Sequence, residues 1–220
     1  DTDPEQLEAW FNRDAAQLFH QQGAFDREGV FIGDASYVFV PDNPRYERSM
    51  RLLFDEHDHP VEAARLTGLT PQQAARYRWR RCYKLVSLLH TDRQRSFFLR
   101  VAARLLPGNV HECPVFYELL DEFIQAVGAG VVRRLLLDRG FLDGARIADV
   151  KQRHGIDVLI PLRHDMTLYQ DALGLMALPE VVFRPYQPPV RAAIEAPRLP
   201  HAPPAVRRRE QRRQQTLNAR

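Results

Sequence analysis

The chain has 220 residues, 45% of them hydrophobic, which is enough for one main domain with or without an appendage. Its two cysteines form no C-x-x-C pair, so neither a disulfide framework nor a zinc cluster is supported, and a reducing, cytoplasmic setting fits best. No apolar run approaches the roughly 20 residues of a membrane span, and we expect a soluble protein without a membrane partner.

The net charge of +3 conceals a strongly basic tail. Residues 205–220 carry six Arg and one Glu, a local charge of +5 that leaves the remainder at about −2. The body of the protein is therefore expected to be nearly neutral.

Residues 4–22 have the pattern of an amphipathic helix that ends at Gly23. Its large apolar side chains recur at helical spacing, and we expect them to face a core: Leu7, Trp10, Phe11, Leu18 and Phe19. We interpret residues 1–24 as an N-terminal packing helix without a catalytic role.

Two predicted strands carry aspartates. Asp34 lies in the middle of the apolar stretch 29–41, where a carboxylate is costly unless a metal, a cation or hydrogen bonds compensate it. Asp138 follows the apolar run Leu135–Leu137, where a buried strand would deliver it to a sheet edge. An aspartate at such a position also caps turns and helices, and this alternative stays open for both residues.

Residues 41–60 predict two reversals around a short strand. The sequence P-D-N-P at 41–44 is a turn, and 50–54 is the strand. The hexapeptide D-E-H-D-H-P at 55–60 resembles a cluster of metal ligands, but no second ligand group follows at a recognisable spacing. We interpret it as a polar turn.

Thr70 and Pro71 predict the N-cap and first residue of a short helix or irregular insert that extends to residue 81. The insert interleaves arginines with aromatic residues, a combination that binds nucleic acids. Arg78, Arg80 and Arg81 are therefore candidate DNA-binding residues, and a solvated edge is the alternative.

The second half alternates strands and helices. A hairpin of strands 82–90 and 96–106 is followed by helix 109–126, the strand before Asp138, helix 143–153, strand 156–162 and helix 167–176. This order predicts an α/β fold, a ribonuclease H-like mixed sheet flanked by helices. In that plan the first and fourth strands are neighbours, so Asp34 and Asp138 would meet.

Two carboxylates a few ångströms apart repel each other unless a cation lies between them. Oxygen ligands without Cys or a clear His favour Mg²⁺ or Mn²⁺. We therefore expect Asp34 and Asp138 to be both metal ligands and catalytic residues. Two such ions would activate a water or 3′-hydroxyl and stabilise the leaving oxygen in phosphodiester chemistry.

From Pro185 onward frequent prolines predict an extended linker. The Arg-rich stretch 206–213 could contact phosphates through Arg207, Arg208 and Arg209, and a solvated linker helix is the alternative. Residues 181–220 are thus expected to be a Pro-rich linker with a basic tail.

Four strings in residues 25–175 resemble DDE-type transposases of bacterial insertion sequences: G-V-F-I-G-D-A-S-Y-V-F-V-P-D-N-P, L-L-P-G-N-V-H-E, L-L-L-D-R-G-F-L-D-G and I-D-V-L-I-P-L-R. The D-R-G-F block is the most specific. The resemblance implies that Asp34 and Asp138 are the first and second catalytic aspartates and bind Mg²⁺. It also implies a bacterial cytoplasmic enzyme that acts on double-stranded DNA, at terminal repeats and target, and that self-associates.

The third carboxylate of that family, a Glu on a helix in a Y-x-x-R-x-x-x-E setting, is not matched here. Glu180 has neither partner, and Glu195 follows Arg191 by four residues but has Pro188 in place of the Tyr. We expect residues 25–180 to be an incomplete catalytic core, with the catalytic Glu beyond Arg220, and this fragment to be inactive or nearly so.

Two other functions fit the same residues. The first is a DNA-binding or assembly remnant that works through residues 76–81 and 207–213, with structural aspartates. The second is a ribonuclease H-like nuclease or resolvase unrelated to transposition, which would share the metal chemistry.

Overall fold

A seven-stranded mixed sheet forms the centre of the part of the chain that the structure describes, residues 3–92 and 97–182. In this computed structural model the strands are β1 (Val30–Val40), β2 (Met50–Phe54), β3 (Pro60–Val61), β4 (Arg78–Thr91), β5 (Phe98–Pro107), β6 (Arg134–Leu136) and β7 (Asp157–Leu159). The α-helices are α1 (Pro4–Ala9), α2 (Ala16–Gln21), α3 (Pro71–Ala74), α4 (Glu112–Val127), α5 (Gly144–His154) and α6 (Thr167–Met176).

The strand order confirms the ribonuclease H-like plan. Strand β4 pairs antiparallel with β1 along one edge. Along its other edge, residues 78–82 pair with β2 and residues 83–91 pair with β5, both antiparallel. Strands β6 and β7 extend the sheet beyond β1, and both pair in parallel. The series β5-β4-β1-β6-β7 is thus three antiparallel strands followed by two parallel ones, as the sequence predicts.

The segment between β1 and β4 is an insertion that adds β2, β3, the 3₁₀ turn Ala63–Leu66 and helix α3. Helix α3 begins as predicted, because the Thr70 side chain accepts a hydrogen bond from the Gln73 amide and the Gln73 side chain accepts one from the Thr70 amide. The insertion pairs β2 with the first residues of β4, so it lengthens the sheet at one end.

Helix α4 supplies the main apolar face against the sheet. Its buried positions recur every three or four residues, as predicted for an amphipathic helix. They are Cys113, Phe116, Tyr117, Leu119, Leu120, Phe123, Ile124 and Val127. The Phe123 ring contacts Phe25 and Phe31, so that α4, β1 and the segment after α2 share one core.

The first helical segment corrects our prediction of its inward face. Trp10 is 51% exposed, whereas Asn12, Ala15, Ala16 and His20 are buried. Residues Trp10–Ala15 form a π-helical turn between α1 and α2, and such a turn adds a residue that rotates the following face. The Asn12 side-chain amide also donates to the Ala103 carbonyl on β5 and accepts from the Ala103 amide. These bonds hold the face of the helix that carries Ala15 and Ala16 against the sheet.

The boundaries of β4 and β7 differ from the prediction for identifiable reasons. Strand β4 begins at Arg78, so Arg78, Arg80 and Arg81 lie in a strand and not in a helix or irregular insert. The pairing of these residues with β2 overrides their local sequence pattern. Strand β7 ends at Leu159, three residues early, because Pro161 has no amide hydrogen for a ladder bond.

Several predictions lie outside the described residues. The hairpin turn at 93–96, the Pro-rich linker from residue 183, Glu195 and Arg207–Arg209 are among them. Within the described ranges, no helix is long and apolar enough to cross a membrane.

His90 gives the fold a predictable pH dependence. The ring is fully buried, and its Nε2 accepts a hydrogen bond from the Asp26 amide (2.8 Å). Its Nδ1 donates to the Val30 carbonyl (2.9 Å). Because one nitrogen accepts and the other donates, these two bonds fit the neutral imidazole. Burial lowers the pKa of His90, although the hydrogen bond to the Val30 carbonyl and the negative charges of Asp26 and Asp92 oppose this shift. The unfolded chain therefore binds a proton first as the pH falls, and stability declines below about pH 6.5, the ordinary value for His.

We expect the urea midpoint to fall between pH 7.5 and pH 5.5, and to fall less in a His90→Gln variant. The exposed His57 is the control, and its Gln variant should keep the wild-type pH dependence. An unchanged pH dependence in the His90 variant would exclude this residue as the cause.

Candidate active site

The two predicted catalytic aspartates belong to neighbouring parallel segments: Asp34 lies on β1, and Asp138 follows the end of β6 by two residues. Three pairs fix the register of β1 and β6, ending with Ile32 opposite Leu136. Asp34 and Asp138 each lie two residues beyond this last pair. The two segments remain adjacent one residue further, because the Leu137 side chain lies directly against Gly33.

Asp34 is exposed, which corrects the expectation of a costly buried carboxylate. Strand β1 is buried on one face, where Phe31 and Gly33 meet helix α4, and Asp34 occupies the other face. Its Oδ2 accepts a hydrogen bond from the Ser36 hydroxyl (3.0 Å). The carboxylate is thus open to solvent and partly oriented by its own strand.

Asp138 is also exposed and caps the 3₁₀ turn Arg139–Phe141. Its Oδ1 accepts the amide hydrogen of Gly140 at 2.7 Å. The capping role considered from the sequence is therefore real. It is compatible with metal binding, because a carboxylate has about four lone-pair sites and the cap uses one of them.

The turn after Asp138 is anchored to α4 by Tyr117, a residue that the sequence did not single out. The Tyr117 hydroxyl donates to the Phe141 carbonyl at 2.9 Å, and burial raises the pKa of this phenol. The Phe141 ring packs on Phe116, with 4.8 Å between ring centroids. The link joins residues 24 positions apart, which no local pattern reveals.

Replacing Tyr117 with Phe is expected to cost about 1–3 kcal/mol of stability, because the buried Phe141 carbonyl loses its partner. The Gly140 amide hydrogen should also exchange faster with solvent, since the turn that holds it loosens. The matched control is Tyr46→Phe at an exposed tyrosine. Equal stability and equal exchange in the two variants would contradict this anchoring role.

A second unanticipated pair lies beside the same turn. Lys84 on β4 donates to Glu112 Oε2 (2.7 Å) and to the Val110 carbonyl (2.8 Å). Burial opposes ionisation of Glu112, but the hydrogen bond and charge of Lys84, the Glu112 backbone amide and the charge of His111 together hold the pKa of Glu112 below its usual range. The signal in the sequence was a lysine inside an apolar strand of a chain whose basic residues are almost all arginine.

The candidate DNA-binding arginines of β4 differ in their surroundings. Arg80 pairs with Asp58 and stacks on the Phe39 ring, 3.2 Å from its centroid. Arg81 pairs with Asp42, whereas Arg78 is exposed. Two of the three guanidinium groups are therefore engaged within the fold, and a DNA-binding role for all three remains a prediction.

The acidic and His-rich segment at 55–60 is a polar turn, as interpreted from the sequence. Asp55 Oδ1 accepts the backbone amide hydrogens of His57 and His59, both at 2.9 Å. Across residues 3–92 and 97–182, no three His, Cys, Asp or Glu side chains are grouped so that they could hold a metal ion. The aspartates of β1 and β6 thus form at most a two-carboxylate site in the described part of the chain.

Two solved structures resemble the chain at low identity. One is the piggyBac transposase synaptic complex with hairpin DNA, which is 11% identical, with a TM-score of 0.37 over 66% of this chain and 25% of that chain. The other is the Mos1 transposase paired-end complex with left transposon end, which is 13% identical, with a TM-score of 0.33 over 72% and 43%. The chain thus spans less than half the length of either protein.

No curated protein matches the chain significantly. The family model described as the transposase DDE domain matches residues 27–220, which is most of the sequence and includes both aspartates. The resemblance to DDE-type transposases, identified from the D-R-G-F block and the three other strings, is thereby confirmed at the level of the family. The chain belongs to the transposase DDE domain family.

Proposed function

We propose that this chain supplies two of the three catalytic carboxylates of a DNA transposase, which cuts and joins DNA strands during transposition. The observation that supports the proposal is the parallel register of β1 and β6, whose last pair, Ile32 and Leu136, lies two residues before Asp34 and Asp138 respectively. Family membership supports the same reaction class. The substrate in this proposal is double-stranded DNA at the element ends and target, and copies of the protein associate to hold the ends together.

Asp34 and Asp138 suit a hard divalent cation. Both carboxylates are exposed, and exposed oxygen donors without sulfur or imidazole favour Mg²⁺ or Mn²⁺. When bound, the ion would activate the attacking hydroxyl and offset the charge that develops at the phosphate. The contribution of the chain itself is to orient the ligands, through the Ser36 hydroxyl for Asp34 and the Gly140 amide for Asp138.

We further propose that the 220-residue chain cuts DNA poorly by itself. Glu180, the last Glu of the described part of the chain, lies after α6 and outside any helix, and the sequence places neither the Tyr nor the Arg of the family setting before it. Glu195 lies beyond the described residues, and Pro188 stands where the Tyr would precede it. Two protein ligands bind a divalent ion weakly and leave it incompletely positioned for in-line displacement. Robust Mg²⁺-dependent cleavage of a terminal-repeat duplex by this chain would refute the incomplete site.

Metal titration separates this function from a DNA-binding remnant. We expect Mn²⁺ to bind the wild-type chain and to bind Asp34→Asn at least about tenfold more weakly, with the circular dichroism spectrum unchanged. The control is Asp14→Asn, since Asp14 pairs with Arg13 on the N-terminal helical segment. Loss of the fold in the Asp34 variant, or equal Mn²⁺ affinity in all three proteins, would support a structural role for Asp34.

A further inference from the structure

Two carboxylates converge on one glycine at the candidate site. A methyl group built on Gly140 would lie 3.0 Å from Asp138 Oδ1 and 3.1 Å from Glu112 Oε1. Since both oxygens lie about 3 Å from one point, they are at most about 6 Å apart, a range in which like charges interact appreciably. Because glycine has no side chain, the two carboxylate oxygens can approach the Gly140 backbone without a steric clash.

Lys84 compensates only one of these two carboxylates. Its ammonium group bonds Glu112 Oε2, and because Lys84 is only 8% exposed and Glu112 is half-buried, the pair is partly shielded from water and salt. Asp138 bonds the neutral Gly140 amide instead. The local arrangement therefore neutralises Glu112 and leaves the charge of Asp138 for an incoming cation.

We propose that Lys84 and Glu112 are positioning residues for Asp138, which set the strength of the metal site by holding a neutralised carboxylate beside it. This inference rests on the proposed function, because it takes Asp138 to be a metal ligand. The bond between Lys84 and Glu112 keeps Glu112 on α4 and away from the ion. Without the lysine charge, Glu112 adds a full negative charge next to Asp138. Without the negative charge of Glu112, the uncompensated positive charge of Lys84 would lie near the metal site and repel the cation.

The two substitutions should therefore move metal affinity in opposite directions. Lys84→Gln keeps a donor for Glu112 and removes the positive charge, and we expect Mn²⁺ to bind about 3- to 10-fold more tightly. Glu112→Gln keeps an acceptor for Lys84 and removes the negative charge, and we expect binding to weaken by a similar factor. The double variant restores neutrality and should bind Mn²⁺ like the wild type.

A purely structural ion pair predicts a different pattern. Both single variants would then lose stability while the Mn²⁺ dissociation constant stays unchanged or shifts the same way in each, and either result overturns the proposal. If only one of the two single variants folds, the direction in which its Mn²⁺ dissociation constant changes is sufficient for the test. Asp138→Asn serves as the reference: if it does not weaken Mn²⁺ binding, the proposed function fails, and if it does, the sign test judges the Lys84–Glu112 pair alone.

The wild-type chain also offers a test without substitution, which shows whether the ion binds beside Lys84, as the proposal requires. The sequence has only two lysines, and Lys151 pairs with Asp157 at the start of β7, the end of the parallel strands away from Asp138. In a lysine-labelled sample, Mn²⁺ should broaden the Lys84 side-chain resonances at lower concentration than those of Lys151. Equal broadening of the two lysines would overturn the proposal.

Discussion

Replacing Asp138 with Asn is expected to lower the strand-cleavage rate by at least about 10²–10³-fold in a transposase that contains this chain together with the third carboxylate. The amide keeps the oxygen that caps Gly140, so the 3₁₀ turn should persist. It removes the negative charge that holds the cation. The loss should therefore appear in catalysis and metal affinity while the thermal midpoint changes little.

The matched control is Asp143→Asn, five residues later, where the carboxylate caps α5 by accepting the Arg146 amide hydrogen. An amide also caps a helix, so this variant should keep wild-type cleavage. A wild-type rate in Asp138→Asn, or an equal loss in the control, would mean that Asp138 is a structural cap only.

Truncating Phe116 to Ala is expected to lower the free energy of unfolding by about 3–5 kcal/mol, the range for a buried aromatic ring. The ring is fully buried between Tyr117 and Phe141 and lies against Gly33 of β1. It therefore supports β1 and the turn after Asp138 at once. Urea unfolding measures the loss, and Leu168→Ala on the exposed face of α6 is the control.

A second substitution tests the contact with Gly33. A methyl group on Gly33 would lie 2.4 Å from Leu137 Cδ2 and 2.5 Å from the Phe116 ring, so Gly33→Ala should cost about 1–3 kcal/mol in the wild type. The same change should cost less in the Phe116→Ala background, because one of the two side chains that the methyl strikes is absent. A loss below 1 kcal/mol for Phe116→Ala, or strictly additive costs, would contradict this packing.

The sheet could be predicted from the sequence because its strands have strong local signals. Strand β2 and helix α6 match their predicted bounds, since each is an apolar run or helical pattern between clear turn residues. The chain order of strands and helices then restricts the topology through the rules of crossover connections. That topology makes β1, which carries Asp34, the neighbour of β6, which Asp138 follows.

What the sequence could not predict depends on distant contacts. The exposure of Asp34 depends on which face of β1 helix α4 covers, and a continuous apolar stretch does not reveal it. The inward face of the first helical segment changes at the π-helical turn. The bond from Lys84 to Glu112 joins residues 28 positions apart, and only the folded chain brings them to the Asp138 turn.

The proposed function requires that β1 and β6 bring Asp34 and Asp138 close enough to share a divalent cation. Anomalous diffraction from crystals soaked in Mn²⁺ tests it most directly. We predict a manganese peak between the two carboxylates, within about 2.5 Å of an oxygen from each. Carboxyl groups too far apart for one ion or an adjacent pair of ions to bridge, with no peak between them, would contradict the account.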